Sequence, residues 1–326
     1  MASTTLAQKA RSYRGEEDLA ALADLINLCA EAHEGDGGTS VSQLRHAFSE
    51  PSFNQQEDLC FWEDEQGKLI GYAEIWSTES GTELDADLDF TIHPIAKNSD
   101  LGQQIIHWGR KRIQEIATAR VSKVVKLFCA SSNQKAKRIA LLKDNGFVPA
   151  RYFFRMERSL RKSIREPQFP QGFKLQQVKP GRDDQAWVEM FNQTFIDHWN
   201  HHDMTVEQYQ FYLKNPHFRP ELHLVGVAPD GTFAAFCHCF INPEDNARNN
   251  TNEGWINALG TRRGFRNQGL GRAMLLSGLH KLKAAGMETA KLGVDADNPS
   301  GALGLYESAG FTQKRTNIVY VEEIEQ

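Results

Sequence analysis

Residues 255–273 read WINALGTRRGFRNQGLGRA, an apolar strand-like run followed by a glycine-rich turn and the first residues of a helix. Free backbone N–H groups and the positive end of the helix dipole favour phosphate at a helix N-terminus. Gly269 and Gly271 allow the backbone to approach such a ligand, while Arg266 and Arg272 add positive charge. The stretch matches neither the dinucleotide fingerprint nor the P-loop. Taken alone, it predicts either an anion-binding turn or a glycine-rich turn without a ligand.

This stretch lies in the second of two similar halves of the chain. Each half opens with an amphipathic helix, over residues 16–29 and 182–195, and continues with two strands joined at a glycine turn. A strand, a polar loop, a long helix, a short apolar strand and another helix follow, and a last strand ends each half. Equivalent glycines are 164 residues apart in two cases, Gly67 with Gly231 and Gly146 with Gly310. The chain therefore repeats one domain.

The segment SLRKSIREPQFPQGFK, residues 159–174, separates the two halves. It is charged, contains two prolines and lacks apolar periodicity, which is typical of a connection rather than a helix or strand. We therefore expect an N-terminal domain over residues 1–160, a linker over 161–172 and a C-terminal domain over 173–326.

The composition excludes several classes of protein. The 326 residues are 40% hydrophobic and 24% charged, as in a globular protein rather than a disordered one. The net charge of −5 argues against a nucleic-acid partner, and no apolar run is long enough to cross a membrane. The first residues lack the apolar core of a signal peptide, so we expect a cytoplasmic protein. Five cysteines without a paired pattern predict reduced thiols rather than disulfides or zinc ligands.

Two motifs together resemble the GNAT family of N-acetyltransferases. The family signature R/Q-x-x-G-x-G/A matches Arg266, Gly269 and Gly271, and its later segment N-x-x-x-A-x-x-L-Y-x-x-x-G-F matches residues 298–311. Both motifs stand in the family's order, and the order of elements extends the resemblance over nearly the whole chain as a tandem pair. The tandem layout is similar to that of the mycothiol synthase type, which does not establish the same substrate.

The resemblance implies an α/β fold of two tandem GNAT domains, each a mostly antiparallel twisted sheet flanked by helices. It implies acetyl-CoA as cosubstrate without a metal, and direct attack by an amine in a ternary complex. Backbone groups near the end of the central strand would pair with the pantetheine arm and polarise the thioester carbonyl. The positions implied for the cofactor are Leu259, Gly260, Thr261, Arg266, Asn267, Gln268, Gly269, Leu270, Gly271, Arg272 and Asn298.

The resemblance also suggests which side chains move protons. Tyr306 stands at the family position of the acid that protonates the leaving thiolate, and the alternative is a tyrosine of the core. Glu253 is a candidate base for the amine, but Trp255 stands where mycothiol synthase-like members carry a carboxylate. Glu253 as a solvated strand-end residue, a water chain, and a role for Asp295 or Asp297 therefore remain alternatives.

The first half departs from both motifs. Lys97 stands at the arginine position, and Asp100 replaces the first glycine with a carboxylate that would repel a pyrophosphate. Leu142 stands at the tyrosine position. We expect a degenerate N-terminal domain that does no chemistry. Either it retains weak binding of coenzyme A, or it is a scaffold.

The run DHWNHHD, residues 197–203, contains several metal-ligand types, but it falls between two helices without a directed geometry. In the GNAT arrangement this region faces the acceptor, so we expect solvated or acceptor-lining residues rather than a metal site. Trp199 offers an apolar wall, and Asp197 and Asp203 offer attraction to a cationic amine.

These features predict an acetyltransferase that acts on a primary amine of a small molecule, as a monomer or homodimer. Three alternatives remain: an acetyltransferase for a peptide or protein amine, a non-catalytic sensor that binds acyl-CoA, and transfer of a different acyl or aminoacyl group. The cofactor loops of tandem relatives of the last kind usually depart from the acetyl-CoA signature retained here. The sequence does not identify the acceptor.

Overall fold

A computed structural model of the protein describes residues 9–31, 37–80, 82–298 and 301–325. The chain forms two compact units of mixed α/β structure. The first unit contains the residues up to Tyr152 together with those from Asn317 onward, and the second contains Phe153–Thr316. Across the described residues, none of the helices combines the length and apolarity needed to span a bilayer.

The first half of the chain contains six strands and four helices among its described residues. They are β1 (Lys9–Arg11), α1 (Glu16–Glu31), α2 (Val41–Phe48), β2 (Leu59–Glu63), β3 (Leu69–Ser80), β4 (Glu83–Ile92), α3 (Leu101–Arg120), β5 (Val124–Ser132), α4 (Ala136–Asp144) and β6 (Val148–Ser159).

The second half follows the same order, with one additional short helix, α7. Its elements are β7 (Lys174–Gln177), α5 (Asp184–Phe195), α6 (Val206–Leu213), β8 (His223–Val227), β9 (Phe233–Phe240), α7 (Pro243–Asn249), β10 (Glu253–Thr261), α8 (Leu270–Ala284), β11 (Thr289–Asp295), α9 (Ala302–Ser308) and β12 (Thr312–Glu323).

Among the described residues, each unit has a mixed sheet that is antiparallel except for one pair of strands. In the first unit the strand order is β1-β2-β3-β4-β5, followed by residues 317–323 of β12, and only β4 and β5 are parallel. In the second unit it is β7-β8-β9-β10-β11, followed by residues 153–159 of β6, and only β10 and β11 are parallel. The predicted class, a mostly antiparallel sheet with helices, is confirmed.

The last strand of each half belongs to the unit built mainly by the other half. The sequence-based boundaries at residues 160 and 173 keep β6 with the first domain and β12 with the second. In the structure, residues 153–159 pair with β11 and residues 317–323 pair with β5. The segment 161–172 has neither helix nor strand, and Ile164 and Phe169 within it pack against the core of the second unit.

Helices cover both faces of each sheet, so each unit has two apolar layers. In the second unit, Leu275 and Leu279 of α8 pack on one face against Ile256, while Trp187 and Tyr209 of α5 and α6 pack on the other. The first unit repeats this arrangement, with α3 and α4 on one face and α1 and α2 on the other. Each sheet is thus packed between helices whose apolar sides face it.

Candidate functional site

The parallel strands of the second unit diverge towards their C-terminal ends. β10 and β11 are paired only from Glu253 to Trp255, whose partner is Lys291. Beyond that point β10 stays with β9 as far as Thr261, while β11 stays with β6 as far as Asp295. In the described part of the chain, the edge of β10 that faces the gap has no strand partner beyond residue 255. Its backbone N–H and C=O groups are therefore open to an extended ligand.

The glycine-rich turn stands at the end of this gap. A single 3₁₀ turn over Arg263–Phe265 follows β10, and α8 begins at Leu270. Asn267 and Gly269 both have positive φ values, 62° and 85°. Gly269 is the N-cap of α8 and supplies no capping side chain, so the first N–H groups of α8 receive no bond from it. The turn therefore leaves backbone N–H groups at the start of α8 uncapped, as an anion-binding turn requires.

Of two further glycines near the turn, Gly260 and Gly271, close approach of neighbouring side chains explains only Gly260. A side chain at Gly260 would collide with Thr194 of α5 and with Phe236 of β9. A β-carbon at Gly271 would lie 3.5 Å from the Thr261 hydroxyl and 3.6 Å from Leu305, which is ordinary van der Waals contact. The first turn of α8 thus lies directly against the end of β10 and against α9.

Arg266 ties the turn to the neighbouring elements. Its guanidinium donates hydrogen bonds to the carbonyl oxygens of Thr261 and Thr194, at 3.2 and 2.9 Å. It also forms an ion pair with Asp197, at 3.1 Å. Arg272 bonds the Ser308 hydroxyl at 2.7 Å, so both motif arginines have partners within the protein.

Asp197 lies beside the turn, and its charge is already matched. Arg263 and Arg266 both form ion pairs with this carboxylate and lower its pKa to about 2. Two guanidinium groups therefore compete with any cationic amine for it. The geometry supports a role in holding the turn rather than the predicted attraction of the acceptor.

Trp199 lies at the other side of the gap. Its ring contacts that of Phe153, with centroids 6.2 Å apart, and Phe153 is the β6 residue paired with Asp295 at the end of β11. Residues 197–199 therefore extend from the glycine turn to the end of β11. This position agrees with the predicted apolar wall for an acceptor.

The rest of the histidine-rich run includes Asp203, the third residue proposed to bind the acceptor. Asp203 pairs with His201 at 3.0 Å, and its side chain is 78% exposed. Within the described ranges, no group of three or more histidine, cysteine or acidic residues could hold a metal ion.

Tyr306 lies on α9 in the core beside α8, with its ring in edge contact with Phe311. Burial and the nearby Cys237 thiol raise the pKa of its hydroxyl. Cys237 is the β9 partner of Leu259, which places the tyrosine near the open end of β10. The hydroxyl keeps its proton at neutral pH, as a proton donor requires.

The turn that precedes α9 carries the start of the second motif. Asn298 donates its backbone N–H to the Asp295 carbonyl oxygen at 3.2 Å, and the Asp295 carboxylate accepts from the Asp297 N–H. The two aspartates thus have turn-forming contacts. Residues 299 and 300 of this motif lie outside the described residues.

Glu253 does not lie at the open end of β10. It stands at the opposite end of β10, six residues before Leu259, which corresponds to about 20 Å along a strand. Its carboxylate pairs with Lys291 at 2.5 Å. The geometry thus does not support Glu253 as the base, and it agrees with the alternative of a strand-end glutamate. The charged groups of Arg155 and Lys291 both lie over the Trp255 ring, at 5.1 and 5.9 Å from its centre.

The first unit carries the corresponding elements with different side chains. β4 and β5 pair only as far as Asp87 and then separate, as in the second unit. The N-cap of α3 is Asp100 where α8 has Gly269. Leu142 is buried on α4, and its carbonyl oxygen accepts from the Phe147 N–H at 3.1 Å. Tyr306 accepts from Phe311 in the same way and at the same distance.

Arg138 closes the gap of the first unit, a feature that the sequence analysis missed. Its guanidinium donates to the carbonyl oxygens of Phe90 in β4 and Ala130 in β5, at 2.7 and 3.0 Å, and lies 3.7 Å above the Phe90 ring. The same 164-residue spacing places Ala302 at this position in the second half. That spacing was the signal that could have revealed the substitution.

The known proteins that this chain resembles are acetyltransferases. The family model described as "Acetyltransferase (GNAT) family" matches residues 185–311. The chain is 30% identical to a mycothiol acetyltransferase of Kineococcus radiotolerans over 91% of both chains. It is 27% identical to one of Streptomyces coelicolor over 92% of this chain and 91% of the other.

Two solved structures are similar over almost the whole length. A GCN5-related N-acetyltransferase from Sphaerobacter thermophilus matches with a TM-score of 0.76 at 22% identity, covering 99% of this chain and 98% of the other. A tandem GNAT protein from the clavulanic acid biosynthesis pathway matches with a TM-score of 0.74 at 13% identity, covering 98% and 99%.

Proposed function

The chain belongs to the GNAT family of acetyltransferases, and on that premise we propose that it transfers the acetyl group of acetyl-CoA to a primary amine of a small molecule. The fold predicted from the sequence, two tandem GNAT domains, is confirmed by the solved structures it resembles. We assign the chemistry to the C-terminal domain. The observation that carries this proposal is the divergence of β10 from β11 beside the N-terminus of α8.

The residues present fit the cosubstrate. The α8 N-terminus offers backbone N–H groups to a pyrophosphate, and Gly269 leaves space there because a β-carbon would meet nothing within 4 Å. The open edge of β10 suits the amide groups of an extended arm. Acetyl-CoA would supply an activated thioester, and the chain's own part is to bind, orient and handle protons.

Direct attack by the amine involves four roles, of which the chain's own groups would fill three and water the fourth. Backbone N–H groups near Leu259–Thr261 would polarise the thioester carbonyl. Tyr306 would protonate the leaving thiolate, since its hydroxyl remains protonated at neutral pH. Water would accept the proton of the amine, because Glu253 lies at the far end of β10. Trp199 would line the acceptor side of the gap.

The N-terminal domain is proposed to be non-catalytic. Asp100 puts a carboxylate at the helix N-terminus, Leu142 lacks a hydroxyl, and the Arg138 guanidinium bridges the backbone of β4 and β5 where a ligand would insert. We therefore expect one acetyl-CoA site in each chain rather than two.

The names of the similar curated proteins, mycothiol acetyltransferases, favour a small-molecule acceptor over a protein. The test is release of free thiol from acetyl-CoA with a panel of small primary amines, amino sugars and short peptides. Calorimetry on the same sample would measure the binding stoichiometry, which we expect to be one. Turnover with peptides alone would contradict the acceptor class. Binding without turnover by any amine would instead indicate a sensor.

A further inference from the structure

The end of β11 carries a carboxylate that the proposed mechanism does not use. Leu292 and Val294 pack into the core on the side of α8 and α9. Because neighbouring residues of a strand point to opposite faces, Gly293 and Asp295 point to the other face of the sheet, on the side of α5 and α6. Asp295 is the last residue of β11 and is 3% exposed.

Two aromatic rings place this carboxylate on the acceptor side of the gap. Phe153 is the β6 partner of Asp295 in register, and it points to the same face because Phe154 packs against the core on the other. The β-carbons of such a pair are about 5 Å apart. The Phe153 ring contacts that of Trp199, which we propose lines the acceptor side. Asp295 therefore lies beside the apolar wall.

Asp295 also lies across the gap from the part of β10 assigned to the thioester. β10 and β11 are last paired at Trp255 and Lys291, and Asp295 is four residues further along β11. On β10, Gly260 is also four register positions further, because the bulge after Ile256 adds one residue that β9 does not match. Both residues are thus about 13 Å beyond the point of divergence, on opposite sides of the gap.

The turn after β11 holds the carboxylate in place. One of its oxygens accepts the Asp297 N–H at 3.0 Å. The backbone carbonyl oxygen of Asp295 accepts the Asn298 N–H at 3.2 Å. The side chain is therefore oriented by the turn itself, and a fixed orientation is what a general base needs.

Other charged groups lie around this end of the gap. On this side of the sheet, or in the segments next to it, are Lys291 of β11, Arg155 and Glu157 of β6, Glu253 of β10, Asp297 of the turn, and the aspartates and histidines of residues 197–203. Glu253 is paired with Lys291 at the far end of β10, two arginines hold Asp197, and Asp297 is exposed. Among these acids, Asp295 combines burial with a place across from the thioester.

The corresponding strand of the first unit carries no acid. Cys129 packs into the core of that unit as Val294 does in the second, and the next residue is Ala130. No residue of β5 is acidic. The backbone oxygen of Ala130 instead accepts from Arg138, which closes that gap. The carboxylate therefore belongs to the unit to which we assign the chemistry.

We propose that Asp295 is the final acceptor of the amine proton, which reaches its carboxylate through the water of the proposed mechanism. The proposal rests on the function proposed above. As the N–C bond forms, the amine nitrogen gives one proton through this water to Asp295. As the C–S bond breaks, Tyr306 gives one proton to the sulfur. The two transfers balance, and exchange with solvent restores both side chains.

The test measures kcat as a function of pH, together with acetyl-CoA affinity, in the wild type, Asp295→Asn and Asp295→Ser. Both variants keep an oxygen that can accept the Asp297 N–H, but neither side chain can take up the proton. At neutral pH kcat should fall about 10²-fold, as for losing a positioned base, with acetyl-CoA affinity within about twofold. The deficit should shrink as the pH rises, because hydroxide then replaces the missing base.

Asp230→Asn is the matched control. The Asp230 carboxylate accepts the Thr232 N–H at 3.0 Å in the turn between β8 and β9, which is the same kind of bond as that between Asp295 and Asp297. This variant should keep the kcat and the pH profile of the wild type.

Wild-type kcat in Asp295→Asn would overturn the proposal. A deficit of the same size at every pH would also overturn it, because that is the result expected of an aspartate that only forms the turn. So would a loss of acetyl-CoA affinity in place of kcat. Thermal unfolding checks each variant, and Asp295→Ser decides the question if Asp295→Asn does not fold. Failure of the proposed function looks different, because the wild-type protein itself would then release no thiol with any amine.

Discussion

Tyr306 and Leu142 occupy equivalent places before a Gly-Phe pair, and only the tyrosine can donate a proton. We expect Tyr306→Phe to lower kcat by about 10²-fold, because the thiolate then leaves unprotonated, while acetyl-CoA affinity changes little. Steady-state thiol release and calorimetry measure the two quantities. Leu142→Met, which keeps the volume of a core residue in the other unit, is the control. Normal turnover by Tyr306→Phe would exclude the acid role.

At the scale of single residues, the sequence identifies motif residues more reliably than it predicts which side chains contact them. The motif positions of Arg266, Gly269 and Tyr306 could be assigned, because spacing alone aligns them with the family. Asp197 was expected to attract the acceptor, but two arginines from the turn pair with it. That pairing joins residues 66 and 69 positions apart, which no local pattern reveals.

The element that we propose binds the cofactor is the run from β10 through the turn to α8. We expect Gly271→Val to weaken acetyl-CoA binding at least about 10-fold, since the added methyl groups stand in the first turn of α8 where phosphate would approach the backbone. Calorimetry measures the loss.

Gly304→Val is the matched control, because it puts the same side chain on α9 at an exposed position where a β-carbon meets nothing within 4 Å. It should bind acetyl-CoA as the wild type does. Unchanged affinity in a folded Gly271→Val protein would remove the turn from the binding site.

At the scale of elements, periodicity predicts helices, strands and the glycine turn, but not the gap. The apolar run of β10 looks the same whether both of its edges are paired or one is open. The bulge at Asn257 and the loss of pairing after Trp255 depend on how β9 and β11 align with it. Arg138 was missed for a related reason, since its partners are backbone carbonyl oxygens rather than a motif.

At the scale of the whole molecule, the repeat predicts two units but not their last strands. Apolar residues at every second position identify the buried face of a strand. Which strand pairs with it in the sheet is set by tertiary structure. β6 and β12 follow α4 and α9 in the same way, so the sequence favoured keeping each with its own half. The structure pairs β6 with β11 and β12 with β5.

This exchange makes the first unit depend on the last residues of the chain. Residues 317–323 form seven register pairs with β5, Tyr320 is buried at 1% exposure, and Glu322 forms an ion pair with Arg110 at 2.8 Å. Truncation after Thr316 should therefore destabilise the first unit by at least about 3 kcal/mol, the lower range for losing a buried aromatic side chain. Hydrogen exchange at the β5 amides measures this loss. Tyr320→Ala keeps the backbone pairing and should cost less.

The second unit should tolerate the same truncation, because all of its residues, Phe153–Thr316, remain. Acetyl-CoA affinity is the readout, and we expect it to stay within about threefold of the wild type at a temperature where that unit is folded. If β5 keeps its exchange protection after truncation, the strand exchange is wrong. If acetyl-CoA binding is lost together with β5 protection, the cofactor site depends on the first unit, contrary to its assignment to residues on β10 and α8.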